Sequence, residues 1–180
     1  LREKYHVLAI VQDLEKVCPT RLKKQNLKFV ETDLSSQRQI NVLCDEIRST
    51  KNEIWAFIHV AATLCEDFGD IDKLCKTFTV NVFSGWLLAS ASSEKMTNGG
   101  RIIYVGSVGH KFGGKINQLG YASSKHLLEY FPKFYRDLAK KNILVNTIRV
   151  GVMNGSTQSK SGVSAQMLQK REELIPLERM

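Results

Sequence analysis

The sequence predicts an α/β fold built on a parallel sheet. Three observations carry that reading. Short, nearly continuous apolar runs such as YHVLAIV (Tyr5–Val11) and EIWAFIHV (Glu53–Val60) suit strands buried on both faces. These runs alternate with segments whose apolar residues recur at helical spacing. At 180 residues and 43% hydrophobic content, the chain can bury one substantial core, which predicts a single domain over residues 1–180.

In chain order, Tyr5–Val11 is the first strand, and Asp13-Leu14-Glu15-Lys16 opens a short helix that Pro19 or the basic RLKKQN stretch ends. A second strand, LKFVE (Leu27–Glu31), runs into Thr32-Asp33-Leu34-Ser35. Ser35 is the expected N-cap of a helix over Gln37–Arg48, where Ile40, Val42, Leu43 and Ile47 repeat at helical spacing. The third strand, Glu53–Val60, is followed by Ala61-Ala62-Thr63 and a polar loop. A long helix is expected from Asp72 to Met96, with Gly99-Gly100 marking its end. Arg101–Val105 is the fourth strand. A helix over Gly120–Lys140 follows, with a kink or break at Pro132. NILVNTIR (Asn142–Arg149) is the fifth strand, and a last helix spans Ser164–Leu174.

Composition narrows the function. No apolar run approaches the roughly 18 residues that cross a bilayer, and the opening LREKYHVLAI has no signal-cleavage pattern, so a cytoplasmic protein without a membrane partner is expected. Cys18, Cys44, Cys65 and Cys75 show no C-x-x-C or metal-ligand spacing. Buried free thiols in a reducing compartment, and no metal site, are expected. The net charge of +8 could suit a polyanion. The basic residues, however, are spread along the chain beside acids, as in REEL and PKFYRDLAKK, and form no stripe. That distribution fits solvated helix faces and argues against nucleic-acid binding.

The chemistry-bearing stretch is RIIYVGSVGHKFGGKINQLGYASSK (Arg101–Lys125). A strand ends at Gly106-Ser107, a Gly-rich loop follows, and Tyr121 and Lys125 then lie four residues apart at a helix start. Residues i and i+4 share a helix face. A neighbouring ammonium favours phenolate, which suits a tyrosine to proton exchange with a substrate. In parallel sheets of this kind, ligands bind at the carboxyl ends of the strands.

The ordered segments resemble the short-chain dehydrogenase/reductase family over nearly the whole chain. Asn81 in TVNVFSG, Ser107 ending IIYVGS, and Tyr121 and Lys125 in YASSK match the family's Asn, Ser, Tyr and Lys in order. Gly106 stands where the family has a first serine, and the Ser107-to-Tyr121 spacing is about one residue longer than usual. Thr32-Asp33-Leu34 is similar to the family's adenine-contacting segment. ILVNTIRVG resembles the segment that places Gly151 beside the nicotinamide, and IPLERM resembles a helix start common in its reductases.

The resemblance implies a Rossmann-like, doubly wound parallel sheet in three α/β/α layers. It also implies hydride transfer between a nicotinamide cofactor, NAD or NADP, and a carbonyl/alcohol substrate. Tyr121 would be the acid/base, Lys125 would lower its pKa and bind the nicotinamide ribose, Ser107 would orient the carbonyl, and Asn81 would hold a relay water. Cofactor contacts are expected from Asp13, Asp33, Leu34, Ala61, Ala62, Tyr121, Lys125 and Gly151. Asp13, near the end of the first strand seen here, tilts the choice towards NAD, although a one-residue slip would put Gln12 there. The helices carrying Asn81 and Tyr121, with Trp86, Leu87, Leu88, Leu127, Leu128, Phe131 and Phe134, imply a homodimer or homotetramer.

The sequence also departs from the family. Its N-N-A-G appears as His59-Val60-Ala61-Ala62, and Val150 replaces a proline. His59 reads as a satisfied structural histidine. The family's first strand and its T-G-x-x-x-G-x-G phosphate loop have no counterpart, nor does its final strand. The fold is therefore expected to be incomplete, an internal piece of a longer reductase, leaving two sheet fragments with unpaired inner edges. If these 180 residues were the whole polypeptide, poor NAD(P) binding would be expected. The alternative function is a catalytically silent binding or assembly module of the same fold that has lost cofactor binding.

Overall fold

The computed structural model describes residues 5–17, 26–64, 69–109, 116–151 and 164–173. Its elements are β1 (Val7–Val11), β2 (Leu27–Glu31), α1 (Gln37–Ser49), β3 (Ile54–His59), α2 (Ile71–Phe78) and a π-helical turn (Thr79–Phe83). Then come α3 (Ser84–Glu94), β4 (Met96–Ser107), a 3₁₀ turn (Ile116–Gln118), α4 (Leu119–Leu127) and α5 (Phe131–Phe134). A second 3₁₀ turn (Arg136–Lys141), β5 (Leu144–Val150) and α6 (Ala165–Glu173) complete the series.

Local chemistry accounts for the boundaries that differ from expectation. The cap of α1 is Ser36, whose side chain accepts from the Gln39 N–H, because Ser35 is drawn back onto Asp33 by both its N–H and its hydroxyl. Asp70 caps α2 by accepting from Asp72 and Lys73 N–H groups. The single helix expected over Asp72–Met96 is one path, but it loosens into a π turn at Asn81 and ends at Glu94. Gly99-Gly100 therefore falls inside β4. Gly99 has φ +89°, where a side chain would be strained, and Arg101 Nη1 donates to both glycine carbonyls. Pro132 breaks its helix as expected, at the second residue of α5, where its missing N–H costs no helical bond. Residues 13–17 form turns rather than a helix, with the Leu14 N–H donating to Glu31 Oε2 at 2.9 Å. Cys18, Pro19, Cys65 and IPLERM lie outside the described residues.

All strand pairs are parallel, in two sheets: β1 with β2, and β3-β4-β5 in that order. The two separate fragments expected from the sequence are thus found among the described residues, in a Rossmann-like α/β arrangement. Apolar packing joins them. Ile40, Leu43 and Cys44 of α1 interlock with Leu88 and Ala91 of α3, and Ile10 of β1 and Phe57 of β3 both pack on that cluster. Near the opposite end of these strands, the Tyr5 and Trp55 rings stack with centroids 4.9 Å apart.

A second cluster centres on β4, the middle strand of its sheet, where Ile102 and Tyr104 are fully buried. His59, Tyr104 and Thr147 are in register across β3, β4 and β5, and so share the face covered by α3 and α4. On the other face, Ile58 and Ile148 are about half exposed.

Two expectations about side chains change. Cys44 is buried as expected, and burial pushes its thiol pKa up, but Cys75 is exposed because only Leu74 and Thr77 mark the inward face of the middle of α2. Leu88 and Leu128, expected on a face for a second copy, are core residues, whereas Trp86 is 53% exposed. The Phe134 side chain lies outside the described ones. No helix among the described residues is long and apolar enough to cross a membrane.

Truncating the centre of this packing should cost heavily. Ile102→Ala is expected to lower stability by about 2–5 kcal/mol, read as a lower urea midpoint with an unchanged slope. A loss below about 1 kcal/mol would mean the β4 core is looser than described.

Candidate active site

Parallel pairing puts every strand's carboxyl end on one side of its sheet, and the predicted site residues follow those ends. Asp13 comes just after β1, Asp33 and Leu34 after β2, Ala61 and Ala62 after β3, and Gly151 after β5. Ser107 is the last residue of β4, in register with Val150. The candidate acid/base helix, α4, packs against this end through Lys125, whose Nζ donates to the Val105 carbonyl at 2.8 Å.

Lys125 is 2% exposed, and burial lowers its pKa to about 8. Its single hydrogen bond among the described residues engages one of three N–H donors. Tyr121, one helical turn earlier, is half-buried. Burial pushes its phenol pKa up, and the Ser107 side chain beside it pulls the other way, with the net shift upward. The expected depression by Lys125 is therefore not present in this arrangement. The ammonium is turned onto a backbone carbonyl, and the group acting on the phenol is Ser107. The Ser107 Oγ also accepts from the Gly109 N–H at 3.1 Å.

Asn81 is the most constrained polar residue of the site. It is fully buried in the π turn. Its Oδ1 accepts from the Thr63 N–H at 2.7 Å, and its Nδ2 donates to the Thr63 carbonyl at 3.0 Å and to Ser124 Oγ at 2.9 Å. Ser124 Oγ in turn donates to the Tyr121 carbonyl at 2.7 Å. Both amide donors are thus engaged by protein groups, and the side chain braces Thr63 against α4. Thr63 and Ser124 were not singled out from sequence; the second serine of YASSK was the available signal for Ser124.

His59 lies under this brace. It is 3% exposed, its Nε2 is 3.1 Å from the Asn81 carbonyl, and burial lowers its pKa to about 4, so it is neutral at pH 7. A neutral imidazole protonated at Nε2 donates there. The structural reading of His59 is what the geometry bears out.

The predicted cofactor contacts are less uniform. Asp13 accepts from the Glu15 N–H at 2.9 Å and is ion-paired with Lys16. Asp33 Oδ1 is engaged by Ser35, which holds that carboxyl below its usual range. Leu34 packs on the α1/α3 cluster. Ala61 is half-buried, while Ala62 and Gly151 are exposed, and a Cβ added at Gly151 would meet nothing within 4 Å.

A family model described as Enoyl-(Acyl carrier protein) reductase matches residues 4–180. No curated protein matches the chain. Solved structures do. A short chain dehydrogenase family protein from Francisella tularensis subsp. tularensis SCHU S4 is 24% identical with TM-score 0.77, over 96% of this chain and 73% of its own. The RhlG/NADP active-site complex of Pseudomonas aeruginosa is 19% identical with TM-score 0.80, over 97% of this chain and 73% of its own. ElxO with NADP bound is 17% identical with TM-score 0.77, over 99% and 76%.

The Lys125 shift has a signed consequence. Its folded pKa, about 8, lies below the ordinary lysine value of 10.5. Between those values the unfolded state binds more protons, so stability contributed by this group rises with pH across that window. The buried tyrosines, with raised pKa values, oppose it at and above the ordinary tyrosine range near pH 10. Denaturant midpoints should therefore climb from pH 8 to 10 in the native chain and stay flatter in Lys125→Met; an identical climb in both would contradict the burial of this ammonium.

Proposed function

Since the chain belongs to the short-chain dehydrogenase/reductase family, we propose that it transfers hydride between a nicotinamide cofactor and a carbonyl/alcohol substrate, with Tyr121 as the acid/base. One observation carries this reading. The Tyr121 phenol stands against Ser107 at the carboxyl end of β4, with a buried lysine one helical turn along the same helix.

The residues present fit the catalytic end of such a cofactor. Lys125 has two N–H donors beyond the one given to Val105, and these suit ribose hydroxyls. When bound, the reduced nicotinamide supplies the hydride, and everything else falls to the protein. Ser107 donates to the substrate carbonyl and orients it. Tyr121 gives its proton to the same oxygen as negative charge develops there. The Lys125 ammonium, placed at the ribose, would favour the phenolate left on Tyr121. Asn81 keeps Thr63 and α4 in place while this happens.

The cofactor is NAD or NADP. An acid at Asp13 suits a ribose 2′-OH and repels a 2′-phosphate, but Lys16 is paired with it and offsets that repulsion. The tilt to NAD therefore loses its basis. A homodimer or homotetramer pairing copies through α3 and α4 is part of the proposal, supported by exposed Phe83, Trp86 and Tyr130. A cytoplasmic location is supported by free thiols at Cys44 and Cys75. The second reading, a catalytically silent binding or assembly module of this fold that has lost cofactor binding, is favoured by the separation of the β1–β2 sheet from β3-β4-β5. Titration with NADH and NADPH separates the two.

Tyr121→Phe should reduce kcat with a responsive aldehyde or ketone by about 10²–10⁴-fold, with cofactor affinity unchanged. Turnover within threefold of the native chain would overturn Tyr121 as the acid/base.

A further inference from the structure

His59 sits where a ring is held from all sides. Phe57 stacks near it with centroids 6.4 Å apart, and Tyr104 meets it edge-on at 6.3 Å. Gly85 of α3 lies directly against the imidazole, since a Cβ there would stand 2.6 Å from the ring. The histidine therefore requires the glycine: any larger residue at Gly85 would displace the ring. What this packing aims is Nε2, 3.1 Å from the carbonyl of Asn81. That carbonyl belongs to the π turn, where the regular helical hydrogen-bond spacing shifts by one residue.

We propose that His59 is a positioning residue for Tyr121: its Nε2–H holds the Asn81 carbonyl and thereby the π turn that directs the Asn81 amide onto Thr63 and Ser124. The path is continuous and made of hydrogen bonds. It runs from His59 to the Asn81 backbone, from the Asn81 side chain to Thr63 and Ser124, and from Ser124 to the Tyr121 carbonyl. Every link is buried or partly buried, so a lost link leaves polar groups without water to replace it. The consequence for catalysis rests on the proposed role of Tyr121, but the positioning itself does not.

The test uses ¹⁵N-labelled chain without cofactor or substrate. Amide exchange at Thr63 reports the Asn81 bond, and the Ile103 and Val105 amides of β4 report general opening. His59→Phe fills the space without a donor, and His59→Gln restores a donor at nearly the reach of Nε2. His59→Phe should speed Thr63 exchange by about tenfold relative to β4, the loss expected for one hydrogen bond, and His59→Gln should recover most of it. Unchanged Thr63 exchange in His59→Phe, or equal loss in both variants, would overturn the proposal and leave ring packing alone. If His59→Phe does not fold, the imidazole ¹⁵N shifts of the native chain decide: the Nε2–H tautomer supports the proposal and the Nδ1–H tautomer refutes it. Where turnover is measurable, His59→Phe should lower kcat with cofactor KM unmoved and His59→Gln should rescue it. A native chain with no turnover would count against the oxidoreductase reading while leaving the exchange result intact.

Discussion

The buried amide of Asn81 is the constraint on which the rest of the site depends. A side chain with no exposed surface must place its donors and acceptor on protein partners or destabilise the fold by a few kcal/mol (about 1–3 for each buried group left unsatisfied). Asn81 meets that demand with Thr63 on one side and Ser124 on the other. In doing so it ties the segment after β3 to the helix that carries Tyr121 and Lys125. Lys125 then closes the arrangement from the other end by donating to the carbonyl of Val105, the β4 residue just before Gly106-Ser107. Two buried polar side chains thus set where the phenol and the serine meet.

Much of this was legible in the sequence, for physical reasons. Buried parallel strands are apolar runs with little alternation, so β1, β3 and β4 stand out, and Pro132 announces its own break. The order of Asn81, Ser107, Tyr121 and Lys125 is a linear pattern, and linear patterns survive in sequence. The missing pairing between β1 and β3 could also be foreseen from the resemblance, because the family's strand order places its first strand, which has no counterpart here, between these two. What was not legible depends on direction. Whether Asn81 faces a water or the Thr63 backbone, and whether Lys125 faces a phenol or a carbonyl, is decided by local backbone geometry. The π turn that decides the first leaves no compositional mark. Ser36 replacing Ser35 as a cap is the same lesson on a smaller scale, since Asp33 competes for the nearer serine.

His59 shows how a departure from a family pattern can be absorbed. An imidazole is larger than the asparagine that the pattern has in this segment, and α3 accommodates it by having no side chain at Gly85. Burial holds the ring neutral, which keeps one nitrogen a donor and lets it serve the Asn81 carbonyl without placing a second buried charge near Lys125. Substitution and accommodation therefore occur together at this position. The separate β1–β2 sheet is held differently, by the α1/α3 cluster and the Tyr5–Trp55 stack, so the catalytic end and the β1–β2 end are joined by apolar packing rather than by strand pairing.

The proposed chemistry is tested most directly by following the hydrogen itself. The chain would be incubated with nicotinamide cofactor deuterated at the transferable C4 position and a set of aldehydes and ketones, and the alcohols examined by mass spectrometry and NMR. Direct hydride transfer predicts deuterium on the carbinol carbon and a solvent-derived proton on the oxygen. Absence of alcohol across the set, or a carbinol carbon carrying solvent hydrogen, would contradict it.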